Sequence, residues 1–159
     1  MNSILVTYYS RSGYTRKVAN ALARALDADL DEITESRPRL GIAGYLRSGF
    51  EAVRAARPPL LESRHQPKHY RKVVIGTPVW AGHVASPVRS YLLRYATDLQ
   101  HAGFFCSYGG SGADKVLTEM AGLVGHAAEA TLALTDREID AGAQAAIDRF
   151  AKTLRLQHP

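Results

Sequence analysis

Three short segments hold residues whose types and order suit a phosphate group joined to a flat aromatic ring. The first, Ser10-Arg11-Ser12-Gly13-Tyr14-Thr15, places three hydroxyls and a glycine directly ahead of a helical pattern. Successive backbone N–H groups at a helix start, with hydroxyls beside them, make a seat for a phosphate. Gly13 lets the backbone come close to it. An ordinary helix cap is the competing explanation. The segment has neither the Gly-Lys-Ser/Thr of a nucleotide-hydrolysing loop nor the Gly-x-Gly-x-x-Gly dinucleotide turn.

The second segment, Gly76-Thr77-Pro78-Val79-Trp80-Ala81-Gly82-His83, contains the only tryptophan of the chain. Trp80 could serve as an apolar wall for a flat ligand whose polar edges reach backbone groups, or simply cover the end of the core. The third, Ser107-Tyr108-Gly109-Gly110-Ser111-Gly112, has three glycines and an aromatic. It reads either as backbone in close contact with a ligand or as a flexible turn.

The elements between these segments place all three at one end of a sheet. Ile4–Thr7, Val73–Ile75 and Gly103–Cys106 are continuous apolar runs, as expected of strands covered on both faces. Asp29–Ile33 and Glu129–Leu134 alternate, as edge strands do. Helical stripes follow: Val18, Ala19, Leu22, Ala25 and Leu26; Ile42, Leu46, Phe50 and Val53, ended by Pro58-Pro59; and Val88, Tyr91, Leu92 and Tyr95, with Ser86 as N-cap and Pro87 first in the helix. Two more are Val116, Leu117, Met120, Leu123 and Val124, then Ile139, Ala143, Ala146, Ile147, Phe150 and Leu154, opened by the capping-box spacing Thr135 to Glu138. The expected fold is therefore α/β: a doubly wound five-stranded parallel sheet of order 2-1-3-4-5 with helices on both faces, as a single domain over 1–159. A ligand in such a sheet sits beyond the carboxyl ends of strands 1 and 3, where the order reverses.

Those three segments in that order resemble the flavodoxin family over essentially the whole chain, in its short form. In that family a Ser/Thr-x-Ser/Thr-Gly-x-Thr loop binds the FMN phosphate, which the resemblance maps to Ser10, Arg11, Ser12, Gly13, Tyr14 and Thr15. The family's second loop lies along the isoalloxazine ring, matching Thr77, Pro78, Val79, Trp80, Ala81 and Gly82. Its third loop covers the other side, matching Ser107, Tyr108, Gly109, Gly110, Ser111 and Gly112. The resemblance implies FMN as cofactor and a loop peptide that reorients when flavin N5 gains a proton, a change Gly82 would tolerate. His83 is the candidate proton donor, against the plainer reading of a loop histidine without a catalytic role.

Charge separates this chain from the acidic electron carriers of that family. The formal net charge is +5, with sequence pI ≈ 9.5. Between Arg37 and Lys72 nine basic residues stand against Glu51 and Glu62, an excess of about +7. Positive surroundings favour a negatively charged reduced flavin, which works against a very low potential. The expectation is therefore an oxidoreductase acting on a quinone-like or other small acceptor, similar to NAD(P)H:quinone reductases or protoporphyrinogen oxidases. A carrier docking to a protein partner is the alternative. The implied partners are an electron donor (NAD(P)H or a reductase) and a small-molecule or protein acceptor, with the oligomeric state, homodimer included, left open.

Other classes fit less well. A phosphatase of similar sheet needs Cys-x5-Arg, but six positions after Cys106 stands Gly112. A receiver domain wants acidic residues at the ends of strands 1 and 3, where this chain has Tyr8-Tyr9 and Thr77. Pro67 separates His65 from His69 and argues against a shared metal site. No nucleic-acid motif accompanies the basic stretch, and no run approaches the roughly 20 apolar residues of a membrane segment. A lone cysteine and a start without a signal-peptide pattern make the cytoplasm the expected location.

Overall fold

The computed structural model describes residues 2–37 and 39–157. Strands β1 (Ile4–Tyr8), β3 (Lys72–Trp80) and β5 (Ala102–Tyr108) lie side by side, flanked by β2 (Asp29–Glu32) and β6 (Ala130–Thr135). All five pair in parallel in the order β2-β1-β3-β5-β6, which is the expected topology. The structure adds β4 (His83–Val84), a short strand antiparallel to the end of β3.

Successive side chains of the central strands alternate between two cores. Leu5, Ile75 and Phe104 face helices α3 (Ser86–Tyr95) and α4 (Ala113–Val124), packing with Tyr91, Leu92, Val116 and Met120. Val6, Val74 and Phe105 face α1 (Tyr14–Leu26) and α6 (Gln144–Leu156), packing with Val18, Leu22, Phe150 and Leu154. Gly76 gives Phe105 its place: a Cβ there would lie 1.9 Å from the ring.

Three expectations about helices need correction. The Thr135–Glu138 capping box forms, but it opens the five-residue α5 (Asp136–Asp140) rather than one long last helix. Gly142 and Ala143 then adopt positive φ, 98° and 45°, which breaks the helical path before α6. At α3 the N-cap is Ala85, and Ser86 is already inside the helix with Pro87 after it. The Ser86 hydroxyl is drawn elsewhere: it accepts from Arg39 Nη2 at 3.0 Å and donates to Glu51 Oε2 at 3.0 Å.

The third correction concerns α2 (Gly41–Val53), whose apolar stripe points away from the core. Ile42, Leu46, Phe50 and Val53 are 80, 64, 61 and 63% exposed. The inward residues are Gly44, Ser48 and Ala52, and a Cβ on Gly44 would lie 2.5 Å from the Arg39 carbonyl carbon. Beside them a buried ionic cluster fixes the helix: Arg39 pairs with Glu35 and Glu51, and Arg47 Nε donates to Glu51 Oε1 at 2.7 Å. Turning the stripe inward would leave these charges unpaired in an apolar setting. Among the described residues no helix is long and apolar enough to cross a membrane.

Candidate functional site

The three predicted segments come together at the carboxyl ends of β1, β3 and β5, where the strand order reverses. Helix α1 starts within the first segment, at Tyr14, capped by Gly13 at φ 99° with no side-chain hydrogen bond. Its first turn holds no acidic residue, so its N–H groups and positive dipole end remain available to an anion. Ser10 Oγ accepts from the Gly13 N–H at 3.1 Å, which closes the loop and leaves the Ser10 O–H free to donate. Arg11 and Ser12 are exposed.

Two residues of this segment are engaged elsewhere. The Thr15 hydroxyl is buried 2.7 Å from Ser107 Oγ and ties the first segment to the third. The Tyr14 hydroxyl donates to Asp140 Oδ2 at 3.1 Å, towards α5.

The second segment is not a loop. β3 runs on through Trp80, turns over Ala81 and Gly82, and returns as β4 with Val79 opposite Val84 and Trp80 opposite His83. Both turn residues have positive φ, 49° and 77°, the requirement of a two-residue hairpin whose twist matches its strands. Thr77 is fully buried and fastens the hairpin base: its Oγ1 accepts from the Ala85 N–H at 3.0 Å and donates to Pro78 O at 2.7 Å. Pro78 and Val79 are half-buried, and Ala81 is exposed.

Trp80 is only 9% exposed. Tyr9 meets it edge-on at 5.4 Å and the Arg39 guanidinium lies 4.8 Å from its ring centroid. Most of the ring is therefore buried. Burial pushes the Tyr9 hydroxyl up to about 12, so it stays neutral at ordinary pH.

In the third segment Ser107 and Tyr108 still belong to β5, and Gly109, Gly110 and Ser111 are exposed beyond it. Gly112 caps α4 at φ 95° and touches the hairpin: a Cβ on it would lie 3.2 Å from Gly82 Cα.

His83 Nδ1 lies 3.4 Å from Glu119 Oε2. The same carboxylate accepts the Val84 N–H at 3.2 Å and pairs with the buried Arg89, so α4 holds the returning strand. Cys106 is buried, and burial pushes its thiol up to about 12, where it is no nucleophile.

Tyr9, Arg39 and Glu119 escaped the sequence reading. Tyr9 could have been found from its place directly after the first strand. Arg39 was one cation among nine, and Glu119 lay within a helical pattern with nothing to mark it.

A family model described as Flavodoxin matches residues 3–130. No curated protein matches the chain. Among solved structures, one similar chain is a flavoprotein in complex with FMN from Lactobacillus acidophilus NCFM, at 22% identity and TM-score 0.72, covering 90% of this chain and 99% of that one. Another is the flavodoxin, WrbA-like protein from Agrobacterium tumefaciens, at 19% identity and TM-score 0.57, covering 98% of each chain. A third is the rubredoxin oxygen:oxidoreductase from the anaerobe Desulfovibrio gigas, at 17% identity and TM-score 0.57, covering 98% of this chain and 36% of that one. At these identities the likeness is one of fold.

Proposed function

The chain belongs to the flavodoxin family, and from that premise we propose that it is an FMN-dependent oxidoreductase acting on a quinone-like or other small acceptor. The observation that carries the FMN assignment is the N-terminus of α1, without a side-chain cap, set beside the hairpin and the glycine segment at the switch point of the sheet. These residues fit the cofactor. The Ser10 and Ser12 hydroxyls and the first-turn amides suit a phosphate, and Gly110, where a Cβ would meet nothing within 4 Å, leaves open space beside a ring. A relative of the same fold was crystallised with FMN.

In this reading Ser10, Ser12 and the backbone of Gly13, Tyr14 and Thr15 hold the phosphate, with Arg11 at its edge. Trp80, Ala81 and Gly82 line one side of the ring, while Tyr108, Gly109, Gly110 and Ser111 line the other. Thr77, Pro78, Val79, Ser107 and Gly112 support those residues from behind. Bound FMN supplies the electron transfer, and the protein sets its orientation and surroundings. Glu119 orients His83 beside the turn, where the imidazole could pass a proton to acceptor or flavin.

Basic surroundings favour an enzyme over a low-potential shuttle. One buried thiol accords with a reducing cytoplasm. The test is steady-state turnover of the FMN-loaded protein with NADPH or NADH as sole donor and a soluble quinone as acceptor. Repeated turnover supports the enzyme. Reduction only through a flavodoxin reductase, with electrons passed on to a protein acceptor, supports the carrier instead. Unchanged turnover in His83→Ala would remove the imidazole from the chemistry.

A further inference from the structure

Helix α2 presents a continuous apolar face to the outside, and its inner side explains why. At 100° per residue Ile42, Tyr45, Leu46, Phe50 and Val53 fall within about 140° of the helix circumference, along a length of about 17 Å. All five are more than half exposed, and Leu40 just ahead of the helix is exposed too. Single apolar side chains on a surface are ordinary, whereas a contiguous set of this size marks an interaction site.

The rim of the face is cationic. Arg11 lies 5.2 Å over the Tyr45 ring and Arg54 lies 4.6 Å over the Phe50 ring. Arg37 and Arg57 stand exposed beyond the helix ends, and none of these four has an ion-pair partner among the described residues. Glu35 and Glu51 are spent on Arg39 and Arg47 on the inner side, and the exposed Glu62 lies outside the helix. The outer face therefore joins apolar side chains to uncompensated positive charge, with no carboxylate on it.

We infer that α2 is an interfacial helix that seats the protein on an anionic lipid surface. Ile42, Leu46, Phe50 and Val53 would enter the boundary of the acyl chains, with Arg11, Arg37, Arg54 and Arg57 at the level of the lipid phosphates. The Arg11 and Arg54 guanidinium groups already lie over the Tyr45 and Phe50 rings, so cation and apolar surface are side by side on this face. A second copy fits the face less well. A two-fold contact would set these arginines against arginines of the other copy across helices about 8–10 Å apart, within one Debye length. An acidic protein would need a concave groove with an apolar floor to accept a convex helix, whereas an anionic bilayer offers negative charge over an apolar layer everywhere and deforms around the helix. Tyr45 also touches the phosphate segment through Arg11. On the functional reading above, docking would bring the crevice to the layer where a lipid-soluble quinone dissolves.

The test is co-sedimentation of the full-length FMN-loaded protein with vesicles, at low and at high salt. Binding to phosphatidylglycerol-containing vesicles but not to pure phosphatidylcholine, weakened by salt, is the expected result. Leu46→Glu with Phe50→Glu should lower binding by about tenfold or more, and Arg54→Glu with Arg57→Glu by a similar factor, with far-UV circular dichroism and FMN retention unchanged. No binding of the folded protein to anionic vesicles at low salt would overturn the inference, as would binding indifferent to the Leu46 and Phe50 changes. A concentration-dependent dimer in sedimentation, dissolved by those same changes, would also overturn it and assign the face to a second copy. Vesicle binding is read without turnover, so its failure and failure of the enzyme reading remain separate results.

Discussion

Helices α1 and α2 have the same length, 13 residues each, and both carry an apolar stripe, yet they are mounted in opposite senses. In α1 the buried residues include Val18, Ala19, Leu22 and Leu26, with Arg16 and Lys17 outside. In α2 the buried residues are Gly44, Ser48 and Ala52, and the large apolar side chains face out. Periodicity shows that a helix has two faces; what waits on the sheet side decides which one is buried. α1 meets Val6, Val74 and Phe105, whereas α2 meets the Arg39, Glu35 and Ser86 side chains. The first arrangement anchors a helix end beside the crevice, and the second leaves a surface for something outside the chain.

The contrast is sharpest in stability. Leu22→Ala removes a fully buried side chain and should cost about 3 kcal/mol in urea unfolding. Leu46→Ala on the exposed stripe should stay within about 0.5 kcal/mol. A comparable loss at both positions would mean that the α2 stripe packs within the chain and would break the comparison. Arg39→Leu comes next. It leaves Glu35 and Glu51 with Arg47 as their one cationic partner and should cost about 2 kcal/mol, below the usual loss for a broken buried pair because that partner remains. It also removes the cation over Trp80, so the emission of the only tryptophan should change along with stability.

A smaller effect should appear with pH. Burial pushes the Glu51 carboxyl up, but hydrogen bonds from Arg39 and Arg47 outweigh it and hold the group below its ordinary value of 4.5. A carboxyl with a lowered folded value stabilises the fold above its unfolded value, and that stability is lost as pH falls through the folded one. Acid should therefore loosen α2 first, read as a Trp80 emission change below about pH 4.5 that precedes loss of far-UV signal. The apolar seam of α1 has no such carboxylate. Simultaneous loss of both signals would contradict a separate ionic mounting for α2.

What the sequence disclosed follows the same division. Strand order, the switch point and the mounting of α1 were legible because continuous apolar runs and a hydroxyl-rich segment before a helix are local signals. The sense of α2 was not, since it depends on Glu35, Arg39 and Ser86, which the fold brings together from separate elements. The hairpin was hidden for a related reason. Pro78 and the pair Ala81-Gly82 read as loop residues, but β3 extends beyond the end of β1 and takes Ser107 opposite Pro78, so the missing proline N–H falls near the strand end. The capping box at Thr135 was legible as a helix start, while the break at Gly142 and Ala143 was not.

The central claim is that the segments gathered at the switch point hold FMN, and titration of the apo-protein with FMN tests it most directly, read by flavin absorption and by Trp80 emission. The expected result is a retained, perturbed flavin spectrum with quenched Trp80 emission, and binding weakened about tenfold by Ser12→Ala through loss of a hydrogen bond to the phosphate. A folded sample that retains no FMN, with Trp80 emission unmoved, would contradict it.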